Sequence, residues 1–318
     1  MTGILDAASY RLLNAWQRGF PLVPRPFAAI AMDCGLDEDE VITRFGQLRS
    51  RGLIDRIGPV FRPNTAGAST LAAMAVPDER LDAVAAQVSA HAGVNHNYER
   101  ENRINLWFVA TAPSETALQS TLSRIEHETG LPVLRLPLLE EFHIDLGFDL
   151  EDHSVPRAQP QGPVAPLGQE ERQLAARLAP GLPFAQRPFA AFDLPEAELI
   201  GTLQRWLDSG VVRRIGAVVR HRRLGYEANA MVVWDVPDAD APDAGRRLAA
   251  DPAVTLCYQR ARALPDWPFN LYCMVHGRER AGVSQEVGSL CTRHSLDRYA
   301  REVLFSKRCF SQRAARYG

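Results

Sequence analysis

The sequence lacks the marks of several protein classes. Its five cysteines, Cys34, Cys257, Cys273, Cys291 and Cys309, include no C-x-x-C pair, so neither a structural zinc site nor a disulfide framework is expected, and reduced, mostly buried thiols are the reading left. Long apolar runs are missing too. "LAAMAV" and "AMVVW" fall far short of the roughly 20 residues of a membrane-spanning helix, and no basic-then-apolar signal peptide opens the chain; a cytoplasmic protein without membrane contact is expected. Neither sign of charge dominates, and a net charge of -2 gives no general attraction to a phosphate backbone. What is present is a chain of 318 residues, 46% hydrophobic, enough for two compact domains of about 150 residues with cores of their own.

Comparing the chain with itself is the most informative step. "RPFAAI" at Arg25 returns as "RPFAAF" at Arg187, "LIDRIGPVFR" at Leu53 as "VVRRIGAVVR" at Val211, "VPD" at Val76 again at Val236, and "VNHNYER" at Val94 as "VTLCYQR" at Val254. The chain is an internal duplication with small insertions and deletions. Between the copies, "EDHSVPRAQPQGPVAPLG" is rich in Pro and Gly and lacks apolar periodicity, so residues 151–168 read as a linker.

Each half follows one plan. "LDAASYRLLNAWQRG" carries apolar residues at helical spacing, and "DEDEVITRFGQLRSRG" has acidic residues in its first turn and Gly52 after its last, good helix start and stop signals. "LIDRIGPVFRP" is a β-rich stretch like the wing after a helix-turn-helix. Strand "STLAAMAVP", helix "ERLDAVAAQVSAHAG", strands "VNHNYERE" and "INLWFVATA", helix "SETALQSTLSRIEHETG" and strand "VLRLPLLEEF" follow. That order is β-α-β-β-α-β, the ferredoxin-like split unit. The fold class expected is α+β: a winged helix-turn-helix-like segment over 1–62, a βαββαβ domain over 63–150, the linker, a shortened helix-turn-helix-like segment over 169–223 and a second βαββαβ domain over 224–318. This arrangement resembles the Lrp/AsnC transcription regulators, which implies DNA binding.

Other residues oppose a DNA reader. The presumed recognition helix opens with Asp37, Glu38, Asp39 and Glu40, where a reader approaches base edges and phosphates. Acidic residues there also suit the helix dipole, so plain capping explains them as well. In the second copy the distance from RPF to RIG shrinks from 31 residues (Arg25 to Arg56) to 27 (Arg187 to Arg214), which removes most of the turn.

Two stretches carry chemistry. Period-two alternation in "VNHNYER" puts Val94, His96, Tyr98 and Arg100 on one face, and in the second copy that face holds Val254, Leu256, Tyr258 and Arg260. Tyrosine and arginine persist while the imidazole is lost. In "VVRRIGAVVRHRRLGY", Arg213, Arg214, Arg220, His221, Arg222 and Arg223 crowd into what reads as a short β-hairpin without acidic residues. Forked guanidinium groups there suit a ligand with several carboxylates or phosphates. A solvated or DNA-facing wing is the plainer reading. Pro63 stands where the second copy has His221.

Taken together, "RRIGAVVRHRRLGYEANAMVVWDVP", "CYQRARALPDWPFNLYCMVHGR", "VLFSKRCFSQRAARYG" and "EEFHIDLGFDL" resemble the siroheme decarboxylases, in their fused D-L form from denitrifiers, over nearly the whole chain. The resemblance implies removal of two acetate carboxyl groups as carbon dioxide from siroheme, giving didecarboxysiroheme on the route to haem d1 or to haem by the alternative path. It also implies Lrp-like architecture without DNA binding. No cofactor beyond the iron tetrapyrrole substrate is expected. Siroheme is the expected partner, with a second copy of the chain and other haem d1 pathway enzymes as further candidates, and neither DNA nor membrane.

The residues fit such a substrate. Siroheme is flat and carboxylate-rich, which calls for arginines around an apolar floor. Loss of carbon dioxide from a ring acetate leaves a carbanion equivalent that must be protonated, and histidine is the natural donor near neutral pH. The expectation is one working site per chain and one degenerate copy: His96 and His221 as acids, Tyr98 stacking or hydrogen-bonding, and Arg100, Arg213, Arg214, Arg220, Arg222, Arg223 and Arg260 holding carboxylates. A competing role for His96 is axial ligand to the iron. A transcription regulator and a non-catalytic tetrapyrrole carrier or sensor are the alternative readings. Among the other histidines, His276 sits at a strand end as a lesser candidate, His91, His127 and His294 lie at helix ends, and His143 and His153 flank the linker without a mechanism. Trp107 and Trp267 read as core or pocket wall.

Overall fold

The computed structural model describes residues 5–144, 147, 150 and 164–316. His153 and the linker up to residue 163 lie outside the described residues. The first half runs α1 (Ala7–Ala15), α2 (Pro26–Cys34), α3 (Glu38–Ser50), β1 (Ile54–Phe61), β2 (Ala68–Met74), α4 (Leu81–Ala90), β3 (Val94–Arg100), β4 (Leu106–Ala112), α5 (Glu115–Thr129), β5 (Leu134–Leu136) and β6 (Leu138–Ile144). The second repeats the order with α6 (Gln169–Leu178), α7 (Glu196–Asp208), β7 (Val212–Val219), β8 (Ala228–Trp234), α8 (Ala241–Ala249), β9 (Val254–Arg260), β10 (Leu271–Gly277), α9 (Arg280–Arg293) and β11 (Arg301–Gln312). The α+β reading is the observed class. Where the second copy lost residues, α2 is reduced to a single 3-10 turn over Pro188–Ala191.

Local chemistry sets the helix ends. Asp6 caps α1 by accepting from the Ala8 and Ser9 amides, Ser114 caps α5 through the Ala117 amide, and Gly130 closes α5 at φ 66. The acidic first turn of α3 is held within the protein. Glu38 pairs with Arg25, Asp39 accepts from Gln186 at 3.0 Å, and Glu40 accepts from Arg44 at 2.9 Å. The second copy keeps the first of these as Arg187 with Glu196.

The chain groups by kind of element. One compact unit gathers the helix-turn-helix-like pieces, residues 5–66 and 164–224 with Gly147 and Leu150; the other gathers both βαββαβ modules, residues 67–144 and 225–316.

In the first unit the two RIG stretches meet. Strands β1 and β7 pair antiparallel with Gly58 opposite Gly216, so the arginine-rich stretch is one strand followed by a 3-10 turn over His221–Leu224, not the hairpin expected from its composition. The paired strand comes from the other half. Each glycine receives main chain from the other half's first helix. A Cβ on Gly216 would lie 2.3 Å from the Gln17 carbonyl oxygen, and one on Gly58 would lie 3.1 Å from Gly181 Cα. The approach is stitched by hydrogen bonds, Ala217 amide to Trp16 carbonyl at 2.7 Å and Leu182 amide to Ile57 carbonyl at 2.7 Å. The repeated motif therefore serves packing.

In the second unit all remaining strands join one sheet, in the order β5-β2-β4-β3-β11-β8-β10-β9-β6. Each module is a four-stranded half, and each passes the end of its last strand to the other. β11 pairs with β8 through Arg301–Phe305 and then with β3 through Ser306–Gln312. The single strand expected over "VLRLPLLEEF" is divided at Pro137, with β5 on β2 and β6 on β9. Since β5 and β6 are consecutive, the two ends of the sheet are joined. The two halves share an inner core of Leu71, Trp107, Leu136, Met231, Tyr272 and Leu304 among others, while α4 and α5 cover one outer face and α8 and α9 the other. Equivalent clamps mark both copies. Asn105 bonds Val76 both ways at 2.9 and 2.8 Å, and Asn270 bonds Val236 at 3.0 and 2.9 Å. Among the described residues no helix is long and apolar enough to cross a membrane.

Two predictions concern these contacts. Gly216→Ala drives a methyl group into main chain that cannot move aside and lowers stability by at least about 2 kcal/mol in chemical denaturation, whereas Gly282→Ala, in open space within α9, does not. The second concerns Glu99, which is 4% exposed and anchors β11 through Lys307 at 2.5 Å and Arg308. Burial opposes its charge, but the hydrogen bonds from Lys307 and Arg308 prevail and hold its pKa below the usual carboxylate range. A lowered folded pKa means stability is fully present above the unfolded value of about 4.3 and is lost as pH falls through the folded one. Thermal midpoints measured from pH 6 down to pH 3 are expected to fall less steeply in Glu99→Gln than in the parent.

Candidate functional site

The face of β3 is decided by a β-bulge. The pairing of β3 with β4 shifts register between Val94 and His96, so Val94 turns to the helix-covered core with Val84, Val88 and Leu122. The face expected to hold Val94 begins instead at His96. Asn97 confirms the sides, its amide donating to the Ala85 carbonyl in α4 at 3.1 Å. The second copy bulges likewise between Met274 and Val275; Val254 and Cys257 face the helices while Leu256 and Tyr258 face the inner core.

His96, Tyr98 and Arg100 thus share the inner face. The His96 and Tyr98 rings lie nearly parallel, 13° apart with centroids 6.3 Å apart, and Arg100 Cζ is 5.9 Å from the Tyr98 centroid. His96 and Tyr98 are half-buried. Arg100 is buried, and its Nη1 donates to the Leu304 carbonyl at 3.1 Å with Nη2 4.0 Å from Met274 Sδ. The second copy builds the same device. Arg260 lies 4.6 Å from the Tyr258 ring and donates to the Leu136 carbonyl at 2.7 Å. Leu304 and Leu136 are matching positions on the two crossing strands, opposite Met231 and Leu71. Arg100 and Arg260, expected to hold carboxylates, fasten the crossing strands to the sheet.

The arginines of the first unit divide similarly. Arg214 is buried and donates to the carbonyls of Gln17 and Ala217. Arg220 Nη2 donates to Asp55 Oδ1 at 2.8 Å. Asp55 is a partner that the reading of an acid-free cluster missed, because it comes from the first half's wing; aligning "DRIG" with "RRIG" puts Asp55 in the place of Arg213 and Arg62 in that of Arg220. The exchange leaves a like-charged pair in the matching place. Burial first, and then the nearby charge of Arg62, bring the Arg213 guanidinium down to about 10. His221 and Arg222 are half-buried and Arg223 is exposed in the 3-10 turn. His96 and His221 belong to different compact units.

Three further histidines have structural partners. His91 Nε2 meets Glu128 at 2.9 Å, His294 Nε2 meets Asp251 at 2.9 Å, and His276 Nδ1 meets the Thr255 hydroxyl at 2.8 Å. Trp107 and Trp267 stack edge to face in the inner core, 5.0 Å apart. Burial pushes the Cys257 and Cys273 thiols well above their ordinary range, so they are inert packing. Among the described residues no group of His, Cys, Asp or Glu gathers as a metal site.

Comparison with known proteins agrees with this architecture. The AsnC-like ligand binding domain family matches residues 66–143 and 223–311, and the siroheme decarboxylase NirDL-like HTH domain family matches residues 9–54. A siroheme decarboxylase NirDL subunit of Paracoccus denitrificans is 46% identical over 98% of this chain and 97% of its own length. The chain belongs to the siroheme decarboxylases. A further relative, the siroheme decarboxylase of Hydrogenobacter thermophilus, is 32% identical over 96% of this chain and 94% of its own. A crystal structure of the siroheme decarboxylase NirDL in co-complex with an iron-uroporphyrin III analogue superimposes with a TM-score of 0.66 at 26% identity, covering 98% of this chain and 94% of that one.

The paired arginine devices give a prediction for this family's scaffold. Arg100→Met removes a buried, and Arg260→Met a half-buried, charged donor from a main-chain carbonyl, and each is expected to cost about 1–3 kcal/mol in chemical denaturation. Comparable losses from both, despite the presence of histidine in one copy alone, mark the pair as scaffold; a loss of substrate affinity without loss of stability would restore a carboxylate-binding role.

Proposed function

We propose that His96 is the general acid of this siroheme decarboxylase. The observation that carries the reading is the broken symmetry of the inner face: both copies keep tyrosine and arginine in one geometry, and the first alone places a titratable ring, His96, where the second has Leu256. A group retained for packing has no reason to differ between such similar surroundings.

The chemistry requires one proton per acetate. The bond between the side-chain methylene and the carboxylate carbon breaks, carbon dioxide leaves, and the electron pair stays on the methylene, where the conjugated macrocycle delocalises it. An imidazolium at hydrogen-bond distance then donates its proton to that carbon and yields a methyl group. Two such events convert siroheme to didecarboxysiroheme. His221 is the other histidine proposed as an acid. For the carboxylates, the guanidinium groups of Arg213, Arg220, Arg222 and Arg223 are proposed as partners, and Arg100, Arg214 and Arg260 donate to main-chain carbonyls as well. Tyr98, parallel to His96, suits stacking against a flat substrate. The proposal includes no DNA reading, since the acidic opening of α3 is paired within the protein.

The test is anaerobic incubation with siroheme followed by mass spectrometry of the extracted tetrapyrrole. The parent chain is expected to remove the mass of two carbon dioxide molecules. His96→Ala is expected to slow turnover by about a hundredfold to ten-thousandfold while retaining siroheme affinity. Lost affinity with an altered iron absorption spectrum would instead make His96 the axial ligand, and unchanged turnover would remove it from the mechanism.

A further inference from the structure

The asymmetry at His96 extends across the strand pair. On β11, Gln312 is the Cα partner of His96; on β6, Ile144 is the Cα partner of Leu256. These are matching positions of the two crossing strands, because Ser306 and Leu138 likewise face Arg100 and Arg260. Leu256 and Ile144 both pack against the inner apolar core. One copy thus has an apolar cross-strand pair and the other a polar one, and two positions changed together where the scaffold around them did not.

Directly opposed residues of an antiparallel pair project to the same face with Cβ atoms about 4.5–5.5 Å apart. The reach of a glutamine amide covers such a gap, and its carbonyl accepts from a ring N–H. We propose that Gln312 is the positioning residue for His96, fixing the orientation and tautomer of the ring so that the other nitrogen delivers the proton. This rests on the reading of His96 as the acid. The strand that carries Gln312 is held firmly where it matters. Arg313, the next residue, donates to the Val94 carbonyl at 3.0 Å and the His91 carbonyl at 3.2 Å, its amide reaches the Asn95 carbonyl at 2.8 Å, and Glu99 grips Lys307 and Arg308 upstream. Register is therefore fixed on both sides of the His96–Gln312 pair.

The experiment compares Gln312→Met, of similar length but without the amide, with Gln312→Glu, which keeps an acceptor at the same reach; Ile144→Gln is the control in the other copy and His96→Ala the benchmark. In siroheme turnover assays Gln312→Met is expected to lower kcat about tenfold, the worth of one hydrogen bond, with KM and the thermal midpoint unchanged. Gln312→Glu is expected to recover most of that loss, and Ile144→Gln to leave kcat at the parent value. Parent-like kcat in Gln312→Met, beside an inactive His96→Ala, overturns the inference. So does a loss that tracks a lower thermal midpoint and is not recovered by Gln312→Glu, because it would mark Gln312 as structural. A fully active His96→Ala overturns the underlying reading of the acid, and the two failures are thereby separate.

Discussion

Each βαββαβ module surrenders the end of its last strand to the other, and the rest of the second unit depends on that exchange. A lone four-stranded module would leave one face of its sheet bare and an edge of unpaired amides and carbonyls exposed to other chains. Here β11 and the β5–β6 strand run from one half to the other and join the sheet end to end, while the two inner faces bury one another. Neither half completes its sheet without the other, so fusion into one chain fixes their pairing at equal ratio. It also makes the two positions of every symmetric pair addressable by separate codons, which an identical pair of subunits cannot offer.

Much of this architecture was legible from self-comparison and periodicity. The order of elements and the helix caps follow from local chemistry: an acid or serine before a helix, a glycine after it, alternation within strands; the residues missing from the second copy, expected to come from the turn, come instead from the helix before it. The exchange of strands was not legible, because alternation says which face a residue takes and nothing about which neighbour it pairs with. Pro137 was the one local sign. It lacks an amide donor and divides β5 from β6 where the strand changes partners. The bulge that turns Val94 to the helix side was hidden for a similar reason, since a single inserted residue reverses an alternation without leaving a composition signal.

The site was legible in part, and the arginines show why. A guanidinium donates to carboxylates and to carbonyls alike, so a cluster in sequence does not say which it meets. Arg214 meets the main chain of α1's end, Arg220 meets an aspartate from the other half, and Arg213 meets the charge of Arg62. The three stand within eight residues of one another and have three different electrostatic surroundings. What separates them is the antiparallel pairing of β1 with β7, and that pairing joins residues too distant in sequence for any local motif to reveal.

Tyr98 and Arg100 persist as Tyr258 and Arg260, and persistence between copies first suggests a working site. For the arginines the geometry adds a scaffold role that both copies share. Both arginines hold a crossing strand by matching carbonyls, those of Leu304 and Leu136, and both lie near the tyrosine two residues before them; each copy needs the device because each copy receives a strand. Positions required by the scaffold must therefore be alike in both halves, and positions free of that requirement are the ones where the halves are able to diverge. His96 and Gln312, against Leu256 and Ile144, are such positions. In a duplicated chain whose halves share one sheet, likeness between the copies points to what holds the fold, and the paired departures from it are where we propose that the chemistry is done.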